Sequence, residues 1–319
     1  MNELGTLKDA DVDQEILSIF NHLKSKYQVS LRDGEYRNGD MTGTFEGGYS
    51  DKKGAFGIEV RINSLSATNL WKYMPKRAPK TIDWMKRSIQ SGTISDGRLI
   101  WSGPTKRIGS GKLFSLNDLA LTASLSKVKL QFSKQWPTVS GLAGRVALSD
   151  RKISMIASSG SIYDIDISGS TAKVHRLGTK KEYLILAGRG SGIPSDFHRF
   201  IRNSPLGEKT SGILKNIKAE GVGHVAFEYV HPFEKGLPKK VRGDYQASGG
   251  SWRIGETILN LEGYSHKIHF DRRGIYTGQG SGRFMGENLT YILERDDKGK
   301  VFVNLKGGFD VDHLQFDKS

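Results

Sequence analysis

Residues 71–104 read WKYMPKRAPKTIDWMKRSIQSGTISDGRLIWSGP, and the local signals change type within this stretch. Pro75 and Pro79 each lack an N–H and restrict the residue before them, so neither fits inside a continuous helix. A short turn therefore precedes a helix that starts near Thr81. It carries Ile82, Met85 and Ile89 on one face at spacings of three and four, and Lys86 and Arg87 on the other, with Gly92 as a C-terminal stop. After it come Ile94, the turn pair Asp96-Gly97, Leu99 and Trp101, and Gly103-Pro104, which read as tight turn, strand and turn. The stretch predicts a helix over about 81–91 that plugs a β-structure.

Upstream, Val12, Ile16, Ile19, Phe20 and Leu23 recur at helical spacing, with acidic residues at the N-terminal end and lysines at the other, which predicts an amphipathic helix over 11–26. From Val29 the texture changes. Apolar residues are spaced between glycines, and Ile58, Val60 and Ile62 alternate with Glu59, Arg61 and Asn63, as in strands with one buried face.

Downstream, Leu119, Leu121, Ala123 and Leu125 alternate with small polar residues, and Val128, Leu130 and Phe132 then alternate with Lys127, Lys129 and Gln131. The phase slips once between Leu125 and Val128. A bulge or turn at Ser126-Lys127 would absorb the slip and keep both halves on one face. Short runs through Val146, Met155, Ile165 and Ile185 follow without room for crossover helices, so antiparallel meander connections are expected. Helical signals return over 195–217, around the Pro205-Leu206-Gly207 break, and strands resume through Phe227, Tyr245, Phe270, Tyr291 and Leu305.

Among 319 residues, 36% are hydrophobic and 39 are glycine, while only 8 are proline. That composition excludes collagen-like and disordered classes and suggests many tight turns between strands. Cysteine is absent, which rules out disulfides, thiolate metal sites and a cysteine nucleophile. No run approaches the ~18 apolar residues of a membrane-spanning helix, and Met1–Tyr27 lacks the order of a secretion signal. The chain by itself is expected to be soluble. The net charge of +14 favours anionic partners, namely nucleic acid, lipid headgroups or lipopolysaccharide, but the basic residues are scattered and chiefly solvate outward faces.

No catalytic motif emerges. Gly109-Ser110-Gly111-Lys112 imitates a phosphate loop, yet Lys106 stands where its first glycine is required and Leu113 where the metal-binding hydroxyl should be. Gly278, Gly280 and Gly282 imitate a dinucleotide fingerprint, whose third glycine would fall at Arg283. Asp164 and Asp166 lie two apart in an expected strand, within range of an acid–base pair, but an outward polar face accounts for them. His266 and His269 point to opposite faces of a strand, so no metal site is expected, and no cofactor. Tyr163, Tyr183, Phe227 and Tyr229 would suit base stacking, but lysines such as Lys127 and Lys129 lie on the face opposite the apolar residues, and nucleic acid is not an expected partner.

The order of aromatic, Pro75, Pro79, Trp84, short helix, Gly92, Asp96-Gly97, strand and Gly103-Pro104 resembles the central region of the YhdP subgroup of bacterial AsmA-like envelope proteins. The resemblance continues in Gln135-Trp136-Pro137, Gly141, Gly144 and Ser204-Pro205-Leu206, and covers roughly residues 40–290. It implies an elongated, curved, mainly antiparallel β-sheet forming a hydrophobic groove, with short helices at about 11–26, 81–91 and 195–217. It also implies a non-enzymatic role as a passive conduit for phospholipid between the inner and outer membranes. The compartment would be the periplasm, with anchorage through a membrane helix that family members carry and this chain lacks, so that the chain reads as a fragment. Other envelope proteins are further partners. Blocks of 1–66, 67–136 and 137–319 divide the chain. From alternation alone, Leu121, Leu125, Leu130, Phe132, Ile165, Ile167, Phe227 and Tyr229 are expected to line the groove. The competing readings are a closed structural or interaction module of the envelope and a nucleic-acid-binding β protein.

Overall fold

The computed structural model describes residues 28–50, 54–74, 78–104, 115–206, 217–254 and 260–308. The expected helix over 11–26 and the Gly109–Lys112 loop lie outside the described residues. The fold is mainly antiparallel β, as anticipated, with eighteen strands, two α-helices and two 3-10 segments among the described residues.

In chain order the first strands are β1 (Gln28–Arg37), β2 (Met41–Ser50) and β3 (Ala55–Ser66). A 3-10 segment (Ala67–Tyr73) and helix α1 (Pro79–Ser88) separate them from β4 (Ile89–Pro104), and a second 3-10 segment (Leu116–Asp118) leads into β5 (Leu119–Leu130). Then come β6 (Val139–Ser149), β7 (Lys152–Ile162), β8 (Ile165–Asp166), β9 (Thr171–His175), β10 (Tyr183–Gly192) and helix α2 (Pro194–Arg202). The remaining strands are β11 (Ile217–Ala219), β12 (Val222–Pro232), β13 (Lys240–Ser248), β14 (Ser251–Ile254), β15 (Asn260–Asp271), β16 (Gly274–Phe284), β17 (Glu287–Arg295) and β18 (Val301–Gly307). The chain forms two compact units. One comprises Met1–Lys134, Thr138–Gly160 and Thr171–Leu184, and the other Gln135–Pro137, Ser161–Ser170 and Ile185–Ser319.

In the first unit β1 to β6 form an uninterrupted antiparallel meander. Its register depends on extra residues. At Leu125 and Val128, Ser126 and Lys127 stand opposite a single residue of β6, and Lys127 takes a φ of 51°. The expected bulge is there. Because it absorbs one residue, Leu121, Leu125 and Val128 all pair with β6 residues of one parity, Leu148, Gly144 and Leu142, and stay on one face. Similar shifts lie between Leu31 and Gly34 in β1 and between Ser95 and Arg98 in β4, with Asp33 and Asp96 at φ 54° and 48°.

Two local expectations change. Asp96-Gly97 does not turn the chain but bulges one long strand, and Gly92 lies inside that strand, where a β-carbon would come within 2.6 Å of Val128. Helix α1 starts two residues before Thr81, with Pro79 in its first turn, where a missing N–H costs nothing, and Ile89 is already strand. Of the helical signal over 195–217, α2 realises the first part, residues 207–216 lie outside the described residues, and Ile217 pairs as strand with Ile254.

In the second unit β12, β13, β15, β16, β17 and β18 pair successively antiparallel, and β14 adds to β11 and β15. Its core gathers Ala219, Ala247, Leu261, Tyr264, Phe284 and Leu289, with Tyr245, Trp252 and Tyr291 against them. Leu261 and Tyr264 are each 2% exposed.

Candidate functional site

Alternation puts every second side chain of a strand on the same face. The bulges carry that parity through the first unit, so Phe45, Val60, Leu99, Leu121 and Leu148 lie in one row across five strands. Beside it run Met41, Leu65, Ile94 and Leu125. In the middle of this face the side chains are only half-buried: Ile58, Val60, Ile62, Leu99, Leu121, Leu125, Val146 and Leu148 all keep part of their surface. Within the first unit these strands make their closest backbone contacts with their hydrogen-bonded neighbours, with the 3-10 segments and with α1.

The ends of the face are closed. At one, Phe56 and Trp101 meet edge to face at 5.0 Å and are 4% exposed, with Tyr49, Ile58 and Leu119 around them. At the other, the 3-10 segment and α1 pack on β3 and β4, where Leu65 and Ile94 fall to 1% and 6% exposure. The plug is tied down by polar contacts that alternation does not reveal. Asn38 closes the β1–β2 turn by accepting from the backbone N–H of Asp40 and Met41, and its amide donates to the Tyr73 hydroxyl at 3.1 Å. The Asp40 carboxylate accepts from Asn69 at 2.7 Å and Lys72 at 2.6 Å. Lys86 of α1 sits 4.0 Å over the Trp71 ring, and Trp84 donates its indole N–H to the carbonyl of Phe132 at 3.1 Å. A turn sequence of the type Asn-Gly-Asp was the available signal for this anchor.

The second unit has its own apolar face, paved differently. Val225 and Phe227 of β12, Tyr245 of β13, Ile268 and Phe270 of β15, and Tyr291 and Leu293 of β17 point to it. Between them stand glycines. A β-carbon at Gly188 would come within 2.2 Å of the Phe227 ring, one at Gly243 within 2.5 Å of the Phe270 ring, and one at Gly280 within 2.3 Å of the Tyr291 ring. Many of the glycines are therefore not the turn residues expected from composition. They sit inside strands and let a large neighbour lie across the sheet.

Helix α2 covers part of this second face. Phe197 packs against Tyr245 at 5.2 Å between ring centres, and it reaches the spaces above Gly190 and Gly223. Arg199 lies 4.0 Å over Tyr163, whose hydroxyl accepts from Asn203 at 2.9 Å, and Phe200 meets Trp136. Beneath the helix His198 and His266 are both buried, at 8% exposure. The ring of His266 touches Tyr245 and Tyr264. His198 Nδ1, His266 Nε2 and the Tyr245 hydroxyl have no hydrogen-bond partner among the described residues. Burial, with Arg202 nearby, pushes His198 down to about 4, and burial, with His198 nearby, does the same to His266. Both rings are held neutral.

The structure places the eight expected lining residues as follows. Leu121, Leu125 and Leu130 lie half-buried on the apolar face of β5, opposite Leu99, Ile94 and Ile89. Phe132 follows β5 and is 38% exposed. In the second unit Phe227 and Tyr229 lie half-buried on one side of β12, the Tyr229 hydroxyl 3.0 Å from His231 Nδ1. Ile165 is buried at 4% exposure against Gly190 and Gly192, and Ile167 follows it half-buried outside any strand.

Asp164 and Asp166 are not one strand face. Tyr163 and Asp164 form the two-residue turn that joins Ile162 to Ile165, with Tyr163 at φ 52°, and the Asp166 carboxylate accepts from the N–H and hydroxyl of Ser168. Those bonds hold it below the usual carboxylate range. His269 pairs with Asp244 on the face opposite His266, and no cluster of three or more metal-ligating side chains occurs among the described residues.

No helix among the described residues is long and apolar enough to cross a membrane. No curated protein and no solved structure matches the chain. Residues 16–319 match the family model described as YhdP protein. With that match spanning nearly the whole sequence, and the Trp71–Pro104 helix-to-strand passage seated at one end of a one-sided antiparallel sheet, the chain belongs to the YhdP family of AsmA-like envelope proteins.

Proposed function

We propose that the apolar faces of this chain carry phospholipid acyl chains, as a segment of a passive conduit between the inner and outer membranes that contributes to outer-membrane integrity. The observation that carries the reading is the row of half-buried apolar side chains across β2 to β6, closed at one end by Phe56 and Trp101 and at the other by the 3-10 segment and α1. A water-soluble monomer gains by covering such a face, and one left uncovered is a binding surface.

The energetics suit the ligand. Each methylene moved into water costs ~0.8 kcal/mol, so a sixteen-carbon chain costs on the order of 12 kcal/mol. An acyl chain about 20 Å long laid across strands ~4.8 Å apart touches about five of them, the number that β2 to β6 supply. Transfer of this kind makes and breaks no bond, so the reading assigns no residue to catalysis and needs no cofactor. Residence in the periplasm, through a membrane anchor elsewhere in the protein, and contacts with other envelope proteins belong to the same proposal.

Photo-crosslinking side chains at Leu121, Leu125 and Phe227 in living bacteria are expected to capture lipid, and those at Lys129 and Asp166, on outward positions, are not. Capture confined to the outward positions, or protein adducts without lipid and no lipid in native mass spectrometry, would instead make the chain an interaction module of the envelope.

A further inference from the structure

One side of β12 continues beyond the apolar face. Phe227, Tyr229, His231 and Phe233 follow one another at every second residue. The His231 ring lies 5.9 Å from Tyr229 and 5.1 Å from Phe233. This aromatic file runs from the end of β12 into the β12–β13 loop, Phe233-Glu-Lys-Gly-Leu-Pro-Lys239. There Phe233 and Leu237 are 50% and 51% exposed. Lys235, Lys239 and Lys240 flank them, all exposed, with Glu234 the only acidic residue of the loop.

The register shows what else lies at that end. Arg242 pairs with Asp271, which closes the β15–β16 turn against Gly274, so the exposed Arg272 and Arg273 of that turn stand on the same side. Asp271 is itself neutralised by Arg295 at 2.6 Å. The β17–β18 turn, also at this end, sets Asp296 and Asp297 against Lys298 and Lys300 and adds no net charge. Two protruding apolar side chains thus stand at an end of the sheet that carries six cations, Lys235, Lys239, Lys240, Arg242, Arg272 and Arg273, against two carboxylates besides Asp271, Glu234 in the loop and Glu228 opposite Arg242.

We infer that the β12–β13 loop, with the β15–β16 turn beside it, docks on an anionic bilayer surface, Phe233 and Leu237 entering the acyl boundary and the lysines and arginines meeting lipid phosphates. Exposed Phe and Leu at a basic end of a sheet are stable in the interfacial layer of a membrane and unfavourable in water. A polyanion such as nucleic acid would meet the cations but would leave these two side chains uncovered, and a neutral bilayer would leave the cations unmatched. The docking stands on the loop itself. Its use as a mouth, feeding lipid from the bilayer along the Tyr229–Phe227 file, rests on the conduit reading above.

The chain has no cysteine, so Phe233→Cys in the full chain accepts a single environment-sensitive dye, with Glu228→Cys as an outward control. On vesicles of phosphatidylcholine with phosphatidylglycerol, the dye at 233 is expected to shift to the blue and to be quenched by brominated acyl chains, while the control stays in water. In flotation, Lys239→Gln with Lys240→Gln weakens binding about 25-fold, from about fivefold per cation, and Phe233→Ser with Leu237→Ser abolishes it without moving the melting temperature. Equal flotation with pure phosphatidylcholine, or binding to anionic vesicles with the dye at 233 still in water, would overturn the inference. So would unchanged binding by both double variants. Acyl capture at Leu125 together with no vesicle docking would overturn the docking alone, and docking without capture would overturn only the conduit.

Discussion

The ring of Phe227 lies directly across the backbone of Gly188, so closely that a β-carbon there would fall 2.2 Å from it. The glycine makes the floor of the second face low at this point. Gly188→Val is expected to lift the ring, cost about 1–3 kcal/mol as an overpacked site does, and reduce acyl crosslinking from neighbouring positions. A β-carbon at Gly57 would meet nothing within 4 Å, so Gly57→Ala in β3 should be neutral or stabilising by about 0.5 kcal/mol, because a strand glycine carries excess unfolded-state entropy. Thermal melts of the two variants decide the matter, and equal effects would refute the floor argument.

Acid should release α2. His198 and His266 have ordinary values near 6.5 when unfolded and about 4 in place. A lowered folded value means that the unfolded chain binds protons first. The stabilisation is complete above about pH 6.5 and is lost as pH falls towards 4, on the order of 3 kcal/mol for each ring. The groups beside them are Arg202 on the helix and Tyr245 and Tyr264 on the sheet. Hydrogen exchange of residues 194–202 should accelerate between pH 6.5 and 4, and His266→Phe should flatten that profile.

A second acid step belongs to Asp271. Arg295 holds its carboxyl at about 2, chiefly through the paired hydrogen bonds at 2.6 and 2.8 Å. The folded value is depressed, so this contribution is present above about pH 4 and disappears only as pH falls towards 2. Asp271→Asn leaves the Arg295 side chain, 4% exposed, without its counter-ion and should lower stability at neutral pH. Urea midpoints at pH 7 and pH 3 test this, and a variant as stable as the parent at pH 7 would contradict it.

The bulge in β5 is open to a similarly direct test. Lys127 occupies the left-handed region, φ 51°, where a side chain costs about 1 kcal/mol, so Lys127→Gly should raise the urea midpoint by a corresponding amount. Deleting Lys127 removes the extra residue and would turn Val128 and Leu130 to the solvent side. That variant is expected to lose cooperative unfolding of the first unit, and a deletion that melts like the parent would show that the register tolerates the slip.

Period-two alternation through Ile58–Ile62 and Leu119–Leu125, and the single phase slip before Val128, were enough to establish strands, their one-sidedness and the place of one bulge, because side-chain parity is a local property of the backbone. The Pro79 helix was equally legible, since proline and the three-four spacing act within a turn or two. Local signals could not tell the bulge at Asp96-Gly97 from a hairpin turn, because both need the same positive φ and only the partner strand decides whether the chain reverses. Nor could they show that Gly188 and Gly280 lie under rings, that His198 meets His266 beneath α2, or that Asn38 and Asp40 hold the Trp71 segment in place. Each of those depends on which distant strand or helix arrives alongside. Burial, close approach and hydrogen-bond partnership are properties of pairs far apart in the chain, and they come into being only when the sheet has assembled.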